Sequence, residues 1–300
     1  MNIKTKAHIG LLTTNLFFAI NLSAVKYLTG NSFMKPFGMN VIRVGVSVFL
    51  FWFFFFFNTQ QKVIEKKDLP RFLLCALTGI AINQLLFLKG LSLTYSIHAA
   101  LLMLTTPILI TIIAALVLKE QISINKIIGL GLGVSGAIVL ITLRRNTGSG
   151  NDILSGDILI IINAVSYTIY FILVKPLMTK YNPVQVIRWI FTFGLFMVIP
   201  FGWNEFIEIE WKSFGFAEYG CISMIVIGGT FLAYLFNVYG IKILGASVAG
   251  TYIYSQPVFA AVIAMVFLKE KLELYKIFAA VLIFSGVYLS NINTSVKTKN

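Results

Sequence analysis

The chain has 300 residues, of which 58% are hydrophobic and 12% are charged, with 24 basic residues against 11 acidic ones. Because soluble domains have about 25% charged residues, this composition cannot cover a water-exposed surface, and an ordinary soluble protein is excluded. The formal charge of +13 would suggest nucleic-acid binding in a soluble protein. No basic cluster interleaved with aromatic residues occurs outside the apolar runs, so no nucleic-acid partner is predicted.

Apolar runs separated by short polar breaks predict ten transmembrane helices. In chain order they cover residues 8–29, 37–57, 71–90, 96–117 and 124–143, followed by 156–175, 184–201, 218–239, 245–267 and 274–292. Each run approaches or exceeds the roughly 18 to 20 residues that cross a bilayer core as a helix. The start of the chain resembles a signal peptide but has no small-residue cleavage site, so we interpret it as a retained first helix. The predicted fold class is all-α integral membrane, with the lipid bilayer as the surrounding partner.

The basic residues of the loops predict the orientation in the membrane. With a cytoplasmic N-terminus, thirteen Lys and Arg residues lie on the cytoplasmic side and seven on the other side. Because cytoplasmic loops carry an excess of Lys and Arg, both termini and the loop Asn58 to Pro70 are predicted to be cytoplasmic.

The sequence predicts neither a cofactor nor a metal site, and no enzymatic activity. The two cysteines, Cys75 and Cys221, show no metal-ligand spacing. No paired carboxylates, no His-acid pair and no nucleophile with its base occur at a workable spacing. All acidic residues, including Asp157, fall in loops or at the ends of predicted spans, and His98 is interpreted as a lone packing residue. No proton relay is therefore predicted.

The chain aligns with itself at an offset of about 150 residues. The matched residues include Gly90 with Gly240, Pro107 with Pro257, Lys119-Glu120 with Lys269-Glu270, and, with small gaps, Lys26 with Lys175 and Arg43 with Arg188. Residues 8–143 and 156–292 therefore form two repeats of five predicted helices each. Since five is an odd number, the second repeat is expected to enter the membrane upside down. Inverted repeats are typical of transporters that bind their substrate near the bilayer midplane and work by alternating access.

In each repeat a proline is followed twelve residues later by Lys-Glu and then by a Ser-Gly helix. This paired pattern, with ten spans in two five-helix repeats, resembles the EamA family of the drug/metabolite transporter superfamily over about residues 8–291. The resemblance implies a bacterial inner-membrane exporter or exchanger of amino acids or related small metabolites. It leaves open the substrate itself, the transport direction, the coupling ion and whether the protein is a monomer or a homodimer.

Polar and aromatic side chains inside the predicted spans are the candidates for a substrate cavity. Polar groups in lipid are costly, so these side chains should face protein or water. They recur on one face of each helix: Thr14, Phe18, Asn21, Asn83, Gln84, Phe87, Asn163, Tyr167, Tyr170, Tyr234 and Asn237, joined by Tyr252 and Gln256 near Pro257. The alternative interpretation is that the amides and hydroxyls hold helices together through hydrogen bonds.

Two prolines and four basic side chains are further candidates for functional residues. Pro107 and Pro257 each remove a backbone donor inside a span and predict helix kinks. Four basic residues are expected at two opposite mouths, where they either reach the lipid headgroups or serve anion recruitment or gating: Lys26, Arg43, Lys175 and Arg188.

Two further functions within transport stay open, namely a multidrug exporter and a lipid or lipid-linked carrier. The Phe-rich run Phe49 to Phe57 favours the lipid carrier, but it is equally typical of a lipid-facing surface. A non-transporting receptor is disfavoured, because the short loops leave little surface for a partner. A membrane enzyme is disfavoured by the missing catalytic groups.

Overall fold

The structure, a computed structural model, describes residues 2–55, 63–106, 109, 124–142, 150–244, 252 and 255–291. Every regular element in this part of the chain is helical. The helices are α1 (Ile3–Gly30), α2 (Pro36–Phe55), α3 (Leu69–Ala76), α4 (Ile82–Leu93), α5 (Ser96–Met103), α6 (Ile124–Thr142), α7 (Gly150–Lys180), α8 (Pro183–Ile207), α9 (Phe216–Ser223), α10 (Ala233–Leu244), α11 (Gln256–Phe267) and α12 (Leu274–Asn291). Two π-helical segments, Leu77–Ala81 and Met224–Leu232, join α3 to α4 and α9 to α10.

Six helical stretches of the described residues are long and apolar enough to cross a membrane. They are Ile3–Gly30, Pro36–Phe54, Lys66–Leu93, Asp152–Lys180, Val184–Ile207 and Phe216–Asn237, and three shorter apolar helices accompany them. Large side chains such as Phe49, Phe53 and Phe196 are exposed on the surface, as expected where a helix faces lipid. The predicted all-helical membrane fold is confirmed. The count of ten helices stays a prediction, because large parts of residues 96–117 and 245–267 lie outside the described residues.

The largest difference from the predicted spans concerns α7. The apolar run predicts residues 156–175, whereas the helix begins at Gly150 and ends at Lys180. Hydropathy measures only the apolar part of a helix, and the polar residues at both ends of this run are helical as well. As a consequence, Asp157 lies about two turns inside the helix instead of at its end.

The start of α8 lies within one residue of the predicted start, whereas its end lies six residues beyond the predicted end. Asn182 caps this helix, because its Oδ1 atom accepts a hydrogen bond from the backbone N–H of Val184 at 3.0 Å. Pro183 follows in the first turn, where its missing N–H costs no helical hydrogen bond. An Asn-Pro pair before an apolar run therefore marks this helix start well.

Packing between the two halves follows the sequence repeat. Helix α1 packs against α10, and α7 packs against α4. In the first pair the Leu11 side chain lies against Gly240, and in the second the Ile160 side chain lies against Gly90. Leu11 matches Ile160 and Gly240 matches Gly90 at offsets of 149 and 150 residues. The two contacts are therefore two copies of one arrangement.

Two further helix pairs each join one half of the chain to the other. Helix α6 packs on α12, where Gly136 lies against Ile283 and Gly286 lies against Gly133. Helix α2 packs on α8 through the backbones of their glycines, with Gly38 against Glu205 and Gly202 against Phe37. Such close approach at small residues is typical of helices in membranes, where dispersion contacts replace the hydrophobic effect between helices.

The two π-helical segments also occupy matched positions. An offset of 150 moves Leu77–Ala81 to residues 227–231, which lie within Met224–Leu232. Gly79 in the first segment lies against the Tyr170 side chain, and Gly229 in the second lies against the Asn21 side chain. Short π-helical stretches inside helices are frequent at functional sites. Because the two segments recur at matched positions, the residues around them are candidates for a functional site.

Candidate substrate-binding site

Three polar residues of the expected cavity form hydrogen bonds between helices. Thr14 Oγ1 donates to the backbone oxygen of Ala233 at 3.2 Å, which joins α1 to α10. Asn163 Nδ2 donates to the backbone oxygen of Asn83 at 2.6 Å, which joins α7 to α4, and Asn83 Nδ2 returns a bond to the backbone of Asn163 at 3.4 Å. Thr14 matches Asn163 and Ala233 matches Asn83 in the repeat. These side chains hold helices together, and their place in a substrate cavity stays a prediction.

Aromatic residues of the expected cavity do come together. The Tyr234 ring contacts Phe18 edge to face, with ring centres 6.4 Å apart, and Phe191 at 5.2 Å. Tyr167 and Tyr170 pack together with centres 5.6 Å apart. Asn237 lies in α10, and its place in a substrate cavity stays a prediction.

Two amides of the expected cavity are buried without a hydrogen-bond partner in the described structure. They are Asn21, at its Oδ1 atom, and Gln84, at its Oε1 atom, and each residue is 2% exposed. A buried polar atom without a partner costs about 1 to 3 kcal/mol. Asn21 borders Gly229 of the second π-helical segment. Both oxygens are hydrogen-bond acceptors.

Arg43 lies inside the helical bundle, although the sequence places it at a mouth. Its side chain is 5% exposed, and its Nε atom donates to Thr230 Oγ1 at 2.7 Å. The guanidinium carbon lies 6.0 Å from the centre of the Phe87 ring. The Nη1 atom is buried and has no hydrogen-bond partner in the described structure. Thr230 donates in turn to the backbone oxygen of Ile225, five residues earlier in the π-helical segment, at 2.9 Å.

Arg188, the repeat mate of Arg43, is 2% exposed and has an aromatic partner. Its guanidinium carbon lies 4.2 Å from the centre of the Trp52 ring. Trp52 Nε1 donates to Thr192 Oγ1 at 3.1 Å, and Thr192 Oγ1 donates to the backbone oxygen of Arg188 at 2.8 Å. The gate function expected for both arginines stays a prediction.

The two lysines expected at the mouths are described to different extents. Lys26 Nζ donates to the backbone oxygens of Leu91 and Ser92 at 3.3 and 3.0 Å, which ties α1 to the end of α4. Lys175 lies in α7, but its side chain lies outside the described part of the structure. A gate function of either lysine stays a prediction.

Helix α2 carries a polar face that the sequence analysis missed. Asn40, Arg43 and Ser47 follow at spacings of three and four residues, which places them on one side of a helix. They are 0%, 5% and 0% exposed. Both side-chain polar atoms of Asn40, Arg43 Nη1 and Ser47 Oγ lack hydrogen-bond partners among the described residues. We call these three residues the α2 polar face. The helical spacing of Asn40 and Ser47 around Arg43 is the signal that was available in the sequence.

A buried hydrogen-bond network lies at one end of the bundle, which we call the His98 end. His98 and Asp157 are fully buried, and His98 Nδ1 lies 3.3 Å from Asp157 Oδ2. His98 Nε2 lies 3.1 Å from the Tyr275 hydroxyl, and Thr94 donates to the Asp157 carboxylate. The expectations of a lone His98 and of no His-acid pair are therefore wrong. The pair is 59 residues apart in sequence, and helix packing, which sequence spacing does not reveal, brings it together.

The opposite end of the bundle, which we call the Lys180 end, carries ion pairs at the surface. Lys180 Nζ forms ion pairs with Asp68 and with Glu65, the latter at 2.7 Å. The Tyr181 hydroxyl donates to Asp68 Oδ2 at 2.6 Å. Lys180, followed by Lys67, lowers the pKa of the Glu65 carboxyl below its usual value. About half of the Glu65 side chain, 47%, is exposed.

The two prolines and their neighbours are only partly within the described residues. Pro107 lies outside them, and so do residues 253 and 254 before Pro257. Pro257 itself lies in the first turn of α11, where a proline costs no helical hydrogen bond. The Tyr252 hydroxyl lies 2.7 Å from His8 Nδ1, and Gln256 is 8% exposed. The expected kinks stay predictions.

No group of three or more His, Cys, Asp and Glu residues in the described part of the chain is arranged to hold a metal ion. The residues expected at the site that the structure describes are buried neutral amides, a hydroxyl, aromatic rings and a guanidinium, and their role in binding stays a prediction. Such groups bind and orient a small molecule through hydrogen bonds and stacking.

Comparison with known proteins identifies the family. The model of the EamA-like transporter family matches residues 5–142 and again residues 154–292. An "Uncharacterized transporter" of Archaeoglobus fulgidus is 25% identical to the chain, with 95% of this chain and 98% of that protein covered. A "Probable terminal-alkyne amino-acid exporter" of Streptantibioticus cattleyicolor is 27% identical, with 76% and 75% covered. A crystal structure of a protein that is 15% identical superimposes with a TM-score of 0.65 over 99% of both chains, which shows a shared fold.

These relatives are named as transporters, not as enzymes, and they confirm the resemblance stated from the paired sequence motif. The apolar helices confirm the prediction of a membrane protein. The family model matches most of the chain, once in each half. The chain therefore belongs to the EamA-like transporter family.

Proposed function

We propose that this transporter exports amino acids or related small metabolites across a bacterial inner membrane by alternating access. In this proposal ten helices form two inverted five-helix repeats, and both termini are cytoplasmic. The observation that carries the proposal is the repetition of contacts, in which the pair α1–α10 packs like the pair α7–α4. In addition, the third predicted span of each repeat contains a π-helical segment. Inverted copies of one architecture supply the inward-open and outward-open arrangements that transport requires.

The chemistry of the buried residues supports a small substrate with both polar and apolar parts. Asn21 and Gln84 offer acceptor oxygens without partners, and Phe18 and Tyr234 offer aromatic surface nearby. Pockets for small molecules combine such apolar walls with a few placed polar groups. The name of the Streptantibioticus relative points to an amino-acid derivative as the substrate of that protein, which is consistent with this class.

Counterflow in proteoliposomes tests the proposed activity. Vesicles that contain the full-length protein and an excess of unlabelled amino acid should accumulate the same radiolabelled amino acid, and Asn21→Ala and Gln84→Ala should lower the rate. Lys35→Gln is the matched control, because Lys35 is an exposed residue that pairs with Glu208 at the surface. Absence of counterflow for all amino acids would contradict the proposal, and so would unchanged rates in both cavity variants.

Cysteine labelling tests the proposed orientation. In a background without Cys75 and Cys221, a cysteine in place of Val63, which is 90% exposed, should be protected from an impermeant reagent in intact cells. A cysteine in place of Phe216, which is 97% exposed, should be labelled from outside. The reverse pattern would overturn the orientation without affecting the transport proposal.

A lipid or lipid-linked carrier is the second candidate. A cleft of about 420 Å³ lies between α8 and the segment before α3, and its walls are mostly apolar: Val63, Ile64, Leu69, Trp189 and Phe193, with Glu65, Lys66 and Gln185. For a multidrug exporter, the observation among the described residues that favours it is the contact of the Tyr234 ring with Phe18 and Phe191. Counterflow of a radiolabelled short-chain lipid, together with absence of counterflow for amino acids, would favour the lipid carrier.

A further inference from the structure

The α2 polar face has a counterpart on α8. Asn40, Arg43 and Ser47 match Gln185, Arg188 and Thr192 at a constant offset of 145 residues. All three positions of each helix are polar, and both arginines are at least nine-tenths buried. The repeat therefore places a guanidinium between two neutral polar side chains on α2 and again on α8.

On α8, a side chain of the protein contacts two members of the counterpart, Arg188 and Thr192. Trp52 of α2 stacks on the Arg188 guanidinium at 4.2 Å, and its Nε1 atom hydrogen-bonds to Thr192 at 3.1 Å. On α2 the aromatic ring near Arg43, Phe87, is farther away at 6.0 Å, and Ser47 has no hydrogen bond like that of Thr192 among the described residues. Arg43 uses its Nε atom for Thr230, while its Nη1 atom and the polar atoms of Asn40 and Ser47 have no partners in the described structure.

The Arg43 charge is also without a counter-ion in the described part of the chain. The ion pairs found there involve Lys35, Lys67, His98 and Lys180, and none involves Arg43. A buried charge is costly unless an opposite charge and hydrogen bonds compensate it. The flat guanidinium fork matches the two oxygens of a carboxylate. A carboxylate is thus the group that would satisfy both the charge and the free Nη1 atom.

We propose that Arg43 binds the carboxylate of the transported molecule, with Asn40 and Ser47 as hydrogen-bonding neighbours along α2. This inference rests on the transport function proposed above and names the substrate class for the same site: small metabolites that carry a carboxylate. The unpartnered oxygens of Asn21 and Gln84 are acceptors, so they suit an ammonium group on the same molecule. Asn21 borders Gly229, the neighbour of the Thr230 residue that holds Arg43.

The proposal predicts that a substrate without its carboxylate is rejected. The full-length protein in lipid nanodiscs is titrated with L-leucine, L-phenylalanine and L-threonine, with their amides, and with the amines that lack the carboxyl group. For the amino acid that binds, the wild type should prefer the acid to the amide by about 10- to 100-fold, which is the range expected for a charge-assisted hydrogen bond.

Arg43→Gln should remove this preference, lowering affinity for the acid while affinity for the amide changes little. Arg43→Lys keeps the charge and should retain part of the preference. Lys35→Gln, which also removes one positive charge, should behave as the wild type. The change in the acid-to-amide ratio separates a binding function from damage to the fold, because a misfolded protein loses both ligands.

Three results would overturn the proposal. Equal binding of acid and amide by the wild type would overturn it while leaving the transport function intact, as would an unchanged ratio in Arg43→Gln. Absence of binding by every probe together with absence of counterflow would remove the transport function and this inference with it.

Discussion

The two ends of the helical bundle are held by different chemistry. At the His98 end, a histidine, a carboxylate, a threonine and a tyrosine are hydrogen-bonded with no exposure of His98 or Asp157. At the Lys180 end, a lysine bridges two carboxylates that water reaches. Buried pairs are expensive to break by removing one partner, whereas exposed pairs contribute little and are screened by salt. We therefore expect the Lys180 end to open more readily during transport.

The largest expected effect comes from Asp157 at the His98 end. Asp157→Ala leaves His98 and Thr94 buried without their acceptor, and losses of this kind destabilise a protein by about 3 to 5 kcal/mol. The melting temperature of the purified protein should fall by about 10 °C or more. Asp152→Ala, which removes an exposed carboxylate from the same helix, is the control and should change little. Equal effects of the two variants would remove the distinction between the ends.

The matched glycines test whether packing, as opposed to polar networks, distinguishes the ends. Gly240→Ala places a methyl group against the Leu11 side chain, and Gly90→Ala places one against the Gly156 backbone oxygen and the Ile160 side chain. Overpacking of this kind costs about 1 to 3 kcal/mol. The two variants should lose similar stability, because the contacts are copies of each other. Gly131→Ala is the control, since a Cβ there meets no atom within 4 Å. It should be neutral or stabilising by up to about 1 kcal/mol, the helix propensity of Ala over Gly. A large difference between Gly90→Ala and Gly240→Ala would show that packing distinguishes the two ends.

A smaller effect is expected from Lys180→Gln. This variant removes both ion pairs of the Lys180 end, but these pairs are partly exposed, so the melting temperature should fall less than in Asp157→Ala. High salt should reduce the difference between this variant and the wild type. Lys212→Gln, at an exposed lysine without an ion pair in the described structure, is the matched control. A loss as large as that of Asp157→Ala would contradict the comparison.

The smallest effect is the pH dependence of the Lys180 end. Because Lys180 and Lys67 lower the pKa of Glu65 from the reference value of 4.5, its contribution to stability is present above that value and is lost as the pH falls through the lowered pKa. Melting temperatures from pH 7 to pH 5 should therefore show no change from this group. Below about pH 4.5 the wild type should lose stability relative to Glu65→Gln. A difference that appears between pH 5 and 7 would assign the effect to another residue.

Sequence patterns predicted the all-helical membrane fold, because apolar length is a local property of the sequence. The predicted starts of α2 and α12 lie within one residue of Pro36 and Leu274. Local signals failed at α7, where polar residues extend the helix beyond its apolar part.

The candidate site was harder to predict, because it depends on which helices meet. Thr14 and Asn163 show the expected polarity, yet their hydrogen bonds go to neighbouring backbones. His98 and Asp157 form a pair that no sequence spacing indicates. Arg43 differs from its predicted location as well. The sequence places it at a mouth, but its side chain lies between α2, α4 and the second π-helical segment.

The glycine contacts have a consequence for how such a chain came about. Each of the four pairs, α1–α10, α4–α7, α2–α8 and α6–α12, takes one helix from each half. A single half on its own would expose the grooves that the other half fills, so we expect that neither half is independently stable. An ancestor with one repeat would therefore have needed a second copy of itself, and gene fusion would have turned an obligate dimer into one polypeptide. Co-expression of the two halves as separate chains should restore assembly, whereas neither half should accumulate alone.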